Sequence, residues 1–367
     1  MNILMFGIVD YETIKQRPQH LCEQFLQHGH EVFYFNPRME LAGDDEILTT
    51  VKHESGACLC FFRYSPFEQF AKYGYVQSTV RRVTKIIELL GNDSCIIYMQ
   101  TPYWWKIAQD IKAVLGDDCL FIYEVLDNYR FLLPHRKIVE MHEQSLIHAD
   151  RIVCTTRLML GDVIGEAHIE KTTVVPNACD YSIFGSASLW DTRPQYPVIG
   201  YIGVMQEWMD WDILTSLLRE PVTLELYGTE YEMPEMFRPY YGGIASWSEL
   251  PEIMSHWSVG IIPHIITPLT NYADHIKLYE YMAVGLPVVM TGTAANKAKR
   301  DEIAGYACDQ RILTIADGCD FGEACIHQSK IDDRDKRMLR KRWAKAQTWD
   351  ARHRQILSEV FTPFIIR

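Results

Sequence analysis

Short, continuous apolar runs of strand length recur along the chain and alternate with segments of helical periodicity. In the first half the runs begin at Ile3, Val32, Cys58, Cys95, Leu120, Arg151 and Thr172. Helix-length segments between them include Arg17–Gly29 and Leu133–Ala149. Because the runs are continuous rather than alternating, both faces of the predicted sheet are covered, as in doubly wound parallel sheets. The pattern predicts an α/β domain in this half.

A second series of apolar runs predicts a second α/β domain. Its runs begin at Pro197, Val222, Val259, Pro287 and Ile312. The two series are separated by Asn177–Pro197, which is rich in turn-forming residues and lacks periodicity, so we place the hinge there. The last segment, Asp333–Phe361, has the spacing of one or two helices.

Composition agrees with two globular domains and excludes one class of partner. The chain has 367 residues, of which 48% are hydrophobic, and this suits two domains with cores of their own. Its formal net charge is −12 and its pI is about 5.5, so the broad basic surface of a nucleic-acid-binding protein is absent. We expect no nucleic-acid partner.

Cysteine usage and hydropathy indicate the compartment. The ten cysteines are scattered without a CxxC pair, which favours buried free thiols over disulfides or a zinc site. The N-terminal residues lack the basic and apolar regions of a signal peptide, and no run of about 18 apolar residues occurs. We therefore expect a soluble, cytoplasmic protein.

Ligands of open α/β sheets bind beyond the carboxyl ends of the strands, so residues at those ends are the candidates for chemistry. Gly200 and Gly203 belong to the first run of the second series, where glycine lets backbone N–H groups approach an anion. The alternative is a glycine needed only for a tight turn. Pro263 and His264 end the run that begins at Val259, and His264 contacts either a ligand or only its own loop.

The segment HIKLYEYMAVGLPVV, residues 275–289, predicts a helix with Lys277 in its first turn and Glu280 three residues on. The helix dipole disfavours a cation there by about 0.3–1 kcal/mol unless an anion binds at the same place. A diphosphate would be attracted by both the dipole and Lys277, and Glu280 can accept two hydrogen bonds from a ribose diol. The alternative is a weak, solvated ion pair between the two residues.

Two charged residues of the first half have two interpretations each. Asp127, in YEVLDNYRF, follows a predicted strand and acts either as a general base on an acceptor hydroxyl or as a helix cap. Arg17 opens a predicted helix at RP, and it either binds an anion or lies at the surface.

The DWD sequence at Asp210–Asp212 resembles a metal-binding motif, but it lies in a predicted helix, so we expect no metal and no other cofactor.

In chain order these motifs resemble GT-B-fold glycosyltransferases that use nucleotide-sugar donors, above all bacterial enzymes of teichuronic acid and exopolysaccharide synthesis. The matching stretches are RPQHLCEQFLQHGHEVFYFNP, YEVLDNYRF, HEQSLIHADRIVCTTRLML, VVPNACDYSIF, IGYIGVMQEWMDWDIL, SWSELPEIMSHWSVGIIPH and KLYEYMAVGLPVV. The resemblance implies two Rossmann-like, doubly wound domains facing each other across a cleft. Residues 1–180 would carry the acceptor side and residues 181–345 the nucleotide-sugar, with a C-terminal helix at about 346–367 crossing back to the first domain.

The resemblance also implies roles for individual residues. It places Gly203, Lys277 and Glu280 at the diphosphate and ribose positions. Further donor contacts are expected from Pro263, His264, Asn271 and Tyr279, and acceptor-side contacts from Arg17, Gln100 and Thr101. Retaining relatives carry a glutamate eight residues before the ribose glutamate; Tyr272 stands there in this chain, which leaves the retaining or inverting outcome open.

The implied reaction is transfer of a hexose-type unit from a UDP- or GDP-sugar to a hydroxyl of a glycan or lipid-linked glycan in cell-surface polysaccharide synthesis. Lys277 would stabilise the leaving diphosphate, and Asp127 would activate the acceptor hydroxyl if the product is inverted. A nucleotide-sugar epimerase of the same fold and a non-catalytic partner protein that keeps the fold are the alternatives. Arg81, Arg82 and Lys85 suggest peripheral contact with the inner face of the membrane, with a solvated helix face as the alternative.

Overall fold

Two sheets organise the chain, one in each of two units. The structure is a computed structural model and describes residues 1–37, 48–62, 79–91, 93–132, 136–187, 194–307 and 312–362. Its contacts divide the chain into Met1–Pro176 together with the segment that begins at His353, and Asn177–Arg352. The C-terminal end of the chain therefore returns to the first unit.

The first unit is built on an eight-stranded sheet. In chain order its strands are β1 (Asn2–Phe6), β2 (Glu31–Phe35), β3 (Leu48–Lys52), β4 (Cys58–Phe62), β5 (Cys95–Met99), β6 (Cys119–Val125), β7 (Arg151–Cys154) and β8 (Thr172–Val174). They lie in the order β3-β4-β2-β1-β5-β6-β7-β8, and all neighbours are parallel except β3 and β4. The helices are α1 (Arg17–Gln27), α2 (Val80–Leu90), α3 (Trp105–Leu115), α4 (Tyr129–Leu132) and α5 (Arg136–His148).

Every strand predicted for this half is confirmed, and so are the helices predicted from Arg17 and after Leu133. Helix α1 begins where the RP signal placed it, with Pro18 in its first turn and the N–H of Gln16 donating to the side chain of Gln19 at 3.1 Å. The sequence missed β3. This edge strand carries half-exposed and exposed residues and so lacks an apolar run.

The second unit is built on a six-stranded parallel sheet. Its strands are β9 (Val198–Ile202), β10 (Thr223–Tyr227), β11 (Tyr241–Gly243), β12 (Val259–Ile262), β13 (Val288–Met290) and β14 (Leu313–Ile315), in the order β11-β10-β9-β12-β13-β14. The helices are α6 (Tyr181–Phe184), α7 (Trp211–Leu217), α8 (Leu250–Ser255), α9 (Ile276–Val284), α10 (Ala294–Ala307), α11 (Asp320–Ile331) and α12 (Arg334–Lys345). Helix α13 (Trp349–Ile356) continues into a π-helical turn, Leu357–Phe361, in the segment that belongs to the first unit.

The core of the second unit lies on both faces of its sheet. On one face Ile202 and Ile262 pack with apolar residues of α9 and α12, and on the other Ile199 and Ile261 pack with residues of α7 and α11. All strands predicted for this half are confirmed, and the doubly wound arrangement with them. The sequence missed β11, which is only three residues long and contains two glycines.

Each sheet reverses its strand order next to its first strand. In the first sheet β2 and β5 lie on opposite sides of β1, and in the second β10 and β12 lie on opposite sides of β9. The loops after the two strands diverge at such a switch point and leave a crevice for a ligand. In the second unit this crevice belongs to the residues that follow β9 and β12, and in the first to those that follow β1 and β5.

The described cysteines are free thiols and most of them are buried, as the sequence predicted. Within the described ranges no helix combines the length and the apolar composition needed to cross a bilayer.

Candidate functional site

The end of β9 lies against the first turn of α9. Gly203, which follows β9, has a φ of +137°, and a Cβ added to it would lie 2.8 Å from Nζ of Lys277. Only glycine fits there, because the backbone angle disfavours L side chains and the lysine fills the space. The structure thus brings together two of the residues singled out from the sequence.

Lys277 is the second residue of α9, in the first turn as predicted. Its Nζ donates to the hydroxyl of Tyr201 at 3.1 Å, and that hydroxyl donates to the carbonyl of Val204 at 3.0 Å. Glu280 acts on Lys277 through its charge alone, so the described residues do not form the solvated ion pair that was the alternative. The first turn also lacks an acidic residue and a side-chain cap, which leaves the positive end of the helix uncompensated.

The lysine and glutamate of α9 both have shifted pKa values. Burial lowers the pKa of Lys277 to about 8, and the charge of Glu280 opposes this shift. Burial raises the pKa of Glu280 to about 7, against the opposing effects of the Trp247 indole and of Lys277. Two groups that titrate near neutral pH beside a sheet switch point mark a candidate site for ligand chemistry.

Backbone hydrogen bonds hold the loop after β12 against the loop after β9. The N–H of Asp210 donates to the carbonyl of Pro263 at 2.8 Å, and the N–H of Ile265 donates to the carbonyl of Trp208 at 2.9 Å. The Thr291 hydroxyl donates to the carbonyl of His264 at 2.6 Å. The two loops beside the switch point are therefore held together, and His264 is buried in the loop after β12.

Two imidazoles meet beside the lysine. The rings of His264 and His275 pack edge to face with centres 4.7 Å apart. Burial and the charge of Lys277 lower the pKa of His275 to about 3, and burial, His275 and Lys277 lower the pKa of His264 well below its usual value. Both rings are therefore neutral at pH 7. In the described part of the chain, Nε2 of each ring is buried without a hydrogen-bond partner.

Two residues predicted to contact the donor have partners within the unit, and their donor contacts stay predictions. The hydroxyl of Tyr279 donates to the carboxylate of Asp274 at 2.9 Å, and its fully buried ring stacks on Trp343 at a centre distance of 5.3 Å. Oδ1 of Asn271 accepts the N–H of Ala294 at 3.0 Å, at the start of α10. Tyr279 therefore belongs to the core of the unit, and Asn271 caps a neighbouring helix.

In the first unit, Asp127 follows β6 without capping the next helix. The cap of α4 is Asn128, whose Oδ1 accepts the N–H of Arg130 at 3.3 Å. Burial raises the pKa of Asp127 to about 6, and no neighbouring charge or hydrogen bond contributes to the shift. The structure therefore assigns the cap to Asn128, and the role of Asp127 as a base stays a prediction.

Arg17 forms part of a buried polar network at the carboxyl ends of β5 and β6. Its Nε and Nη2 donate to Oε1 of Glu124 at 2.9 and 2.8 Å. The Tyr98 hydroxyl donates to the same oxygen at 2.8 Å, and Nε2 of Gln100 donates to the other at 2.6 Å. Arg17 is 3% exposed and Glu124 is fully buried, so the geometry does not support the direct acceptor contact predicted for Arg17.

Gln100 and Thr101 lie directly after β5, at the switch point of the first sheet. Oε1 of Gln100 and Oγ1 of Thr101 are buried and have no hydrogen-bond partner among the described residues. Each residue therefore has one buried polar atom that is open to a partner, while Nε2 of Gln100 donates to Glu124.

The DWD sequence serves as the start of a helix. Oδ1 of Asp210 accepts the N–H of Ile213 at 3.0 Å and caps α7, while Asp212 lies in its first turn. The described residues hold no group of three or more histidine, cysteine, aspartate or glutamate side chains placed for a metal ion.

Sequence reasoning missed two members of the site, Tyr201 and His275. Tyr201 lies inside an apolar strand run, where an aromatic residue is predicted to belong to the core. Only the structure shows that its hydroxyl accepts a hydrogen bond from Lys277. His275 occupies the cap position of α9 without a capping bond, and this mismatch between residue type and position was its one available signal.

Comparison with known proteins supports the resemblance. No protein-family model matches the chain. A relative described as "Putative teichuronic acid biosynthesis glycosyltransferase TuaH", from Bacillus subtilis (strain 168), is 24% identical over 241 residues, which is 60% of this chain and 59% of that protein. The chain therefore matches only about three fifths of the length of this curated relative.

Solved structures match over the whole chain. Sucrose-phosphate synthase from Thermosynechococcus elongatus superposes with a TM-score of 0.74 at 12% identity, and the match covers 100% of both chains. The structure named "Trehalose-6-phosphate from E. coli bound with UDP-2-fluoro glucose" superposes with a TM-score of 0.70 at 10% identity and covers 99% of both chains. The chain thus has the GT-B fold with two Rossmann-like domains, and it resembles the glycosyltransferases that share this fold.

Proposed function

We propose that the protein is a glycosyltransferase whose second unit binds a nucleoside-diphosphate sugar at the start of α9. The observation that carries the proposal is the contact between Lys277 and Gly203 at the switch point of the second sheet. A partly buried lysine in the first turn of an uncapped helix, with the hydroxyl of Tyr201 as its partner, is suited to an anion.

A diphosphate suits this place better than a single carboxylate does. It carries at least two charges, so Lys277 and the N–H groups at the start of α9 can act on it together. Glu280 lies one helical turn further along α9, on the same face as Lys277. Its two carboxylate oxygens accept hydrogen bonds from the two hydroxyls of a ribose, which fixes the nucleoside end of the donor.

The reaction needs few parts. The bond between the anomeric carbon and the diphosphate oxygen breaks, a bond from that carbon to the acceptor oxygen forms, and the acceptor hydroxyl loses its proton. Lys277 stabilises the negative charge that grows on the leaving diphosphate. Asp127, with its pKa raised to about 6, is ionised at pH 7 and takes the acceptor proton if the product is inverted.

The finer assignment concerns donor and acceptor. We propose a UDP- or GDP-linked hexose as donor, no metal, and a hydroxyl of a glycan or lipid-linked glycan of the bacterial cell surface as acceptor. The name of the Bacillus subtilis relative and the UDP-2-fluoro glucose named for the E. coli structure support these choices. Gln100 and Thr101 are proposed for the acceptor side because each keeps a buried polar atom without a partner among the described residues.

A binding screen followed by a transfer assay tests the proposal. The thermal midpoint is measured with UDP, GDP and CMP, each beside its nucleoside. A ligand at 100 times its Kd stabilises by about 2.7 kcal/mol, a rise of several degrees. The stabilising donor is then incubated with and without a glycoside acceptor, in the absence and presence of a chelator.

The outcomes separate the candidate functions. A rise with one nucleoside diphosphate, and a new glycoside that forms despite the chelator, support the proposal. A donor epimer formed without acceptor indicates a nucleotide-sugar epimerase. No rise with any nucleotide indicates a non-catalytic protein that keeps the fold.

A further inference from the structure

We infer that His264 and His275 bind hydroxyl groups of the transferred sugar and that the donor sugar is uncharged. The inference rests on the proposed function, which places the ribose at Glu280 and the diphosphate at Lys277. It adds the part of the donor that neither residue contacts.

The direction of the donor along α9 points to the two histidines. Glu280 lies in the middle of α9, Lys277 in its first turn, and His275 directly before it. A nucleotide-sugar runs from nucleoside through diphosphate to sugar. A donor with its ribose at Glu280 and its diphosphate at Lys277 therefore directs its sugar towards His275, whose ring lies 4.7 Å from that of His264.

Each of the two rings has a buried nitrogen without a hydrogen-bond partner among the described residues. His264 is only 5% exposed, and Nε2 of both His264 and His275 is buried without a partner in the described part of the chain. The Tyr201 hydroxyl, whose ring lies 6.3 Å from that of His264, already accepts from Lys277 and donates to Val204. Buried polar atoms are nearly always hydrogen-bonded, so these two nitrogens fit a partner that is not among the described residues, such as a bound ligand.

The chemistry of the pair selects the kind of partner. A neutral imidazole has one donor and one acceptor nitrogen, which matches a hydroxyl, because a hydroxyl also donates and accepts. Burial and Lys277 keep the pKa of His275 near 3 and that of His264 well below its usual value, so neither ring offers a charge to a carboxylate. Lys277 is occupied by the diphosphate. A neutral hexose therefore fits this end of the site better than a uronic acid.

Calorimetric titration of the full chain tests the inference. The ligands are UDP, UDP-glucose and UDP-glucuronate, or GDP and GDP-mannose if only GDP stabilises the protein. The variants are His264→Phe and His275→Phe, which keep a ring in the pair but remove its nitrogens. The control is His256→Phe, in the same unit, where the histidine lies 3.3 Å from Glu225.

The variants are expected to change the affinity for the nucleotide-sugar but not the affinity for the nucleotide. Each Phe variant weakens binding of the neutral nucleotide-sugar by about threefold to tenfold, the value of one hydrogen bond, and leaves binding of the nucleoside diphosphate within about twofold. The control changes neither affinity. In the unmodified protein the neutral donor binds more tightly than UDP-glucuronate, if UDP is the nucleotide.

Several results would overturn the inference. Equal loss for nucleotide and nucleotide-sugar means that the histidines serve the diphosphate or the fold, while the proposed function stands. No loss for either means that they make no donor contact. If the unmodified protein binds no nucleoside diphosphate and no nucleotide-sugar, the inference and the proposed function fail together. If a Phe variant has a lowered thermal midpoint, the affinities for nucleotide and nucleotide-sugar are measured with His264→Gln and His275→Gln instead, and the same outcomes apply to these variants.

Discussion

Replacing Lys277 by Met removes one charge from the candidate donor site and little else. The methionine keeps most of the apolar stem that packs beside Gly203 and over the ring of Tyr201, whose centre lies 4.6 Å from Nζ. The substitution removes the hydrogen bond of 3.1 Å to the Tyr201 hydroxyl, which still donates to Val204. The fold should therefore tolerate the change.

The size of the effect follows from the chemistry that Lys277 performs. Two unit charges about 4 Å apart attract by about 4 kcal/mol at an effective dielectric constant near 20, which is an upper bound here. A net value of about 1.5–3 kcal/mol is typical of a hydrogen bond to a charged group. Loss of this stabilisation from the leaving diphosphate lowers turnover about 10- to 100-fold.

The free protein should respond in the opposite sense. A lysine in a first helical turn is unfavourable by about 0.3–1 kcal/mol, and burial adds to this cost, so Lys277→Met without ligand should melt no lower than the unmodified chain. The rise in midpoint caused by UDP or GDP should shrink in the same sample. A lower midpoint in the absence of ligand would show that the lysine serves the fold.

The assay is product release from the donor that the screen identifies, beside thermal melts with and without nucleotide. Lys297→Met is the matched control, because Lys297 is exposed near the start of α10 in the same unit. Full turnover by Lys277→Met would refute the reasoning, and so would an equal loss in Lys297→Met.

Three further changes test other parts of the account. If the product is inverted, Asp127→Asn should lower transfer by about 100-fold or more while nucleotide binding is unchanged, and a loss of nucleotide binding or of folding would contradict a role as base. The pH profile of kcat/KM should fall below pH 6–7, where Asp127 and Glu280 protonate, and above about pH 8, where Lys277 loses its charge. Lys277→Arg should remove the fall at alkaline pH alone, since arginine stays charged. If this fall persists in Lys277→Arg, a group other than Lys277 causes it. Glu124→Gln should destabilise the chain by about 3–5 kcal/mol in urea unfolding, because it leaves the buried Arg17 uncompensated, and an unchanged unfolding curve would show that the network is dispensable.

The sequence predicted most of the fold because buried parallel strands are continuous apolar runs. That signal is absent from β3, whose residues Leu48–Lys52 are half-exposed or exposed, and from the short strand β11. Both lie at the edge of a sheet, where burial on two faces is not required.

The site was predictable where local physics imposes a conflict. A lysine at the positive end of a helix is such a conflict, and the structure places Lys277 in a first turn that has no acidic residue. Roles that depend on tertiary contacts could not be predicted from the sequence. Tyr279 shares a helix with Glu280 but its hydroxyl binds Asp274, and Arg17 meets a carboxylate 107 residues further along the chain.

Two of these cases show why a motif alone does not assign a contact. The resemblance implied that Tyr279 contacts the donor, and the structure packs its ring on Trp343 of α12. Asn271 precedes α9, and its side chain caps α10, which begins after another strand. A motif fixes the residue type, whereas the packing of neighbouring helices fixes the direction of the side chain.

The central claim is that α9 holds the diphosphate of a sugar donor. A crystal structure with the UDP- or GDP-sugar that stabilises the protein most tests it directly. The account predicts a diphosphate oxygen within hydrogen-bond distance of Nζ of Lys277 and a ribose hydroxyl on the carboxylate of Glu280. A diphosphate bound elsewhere, with Lys277 still donating only to Tyr201, would contradict it.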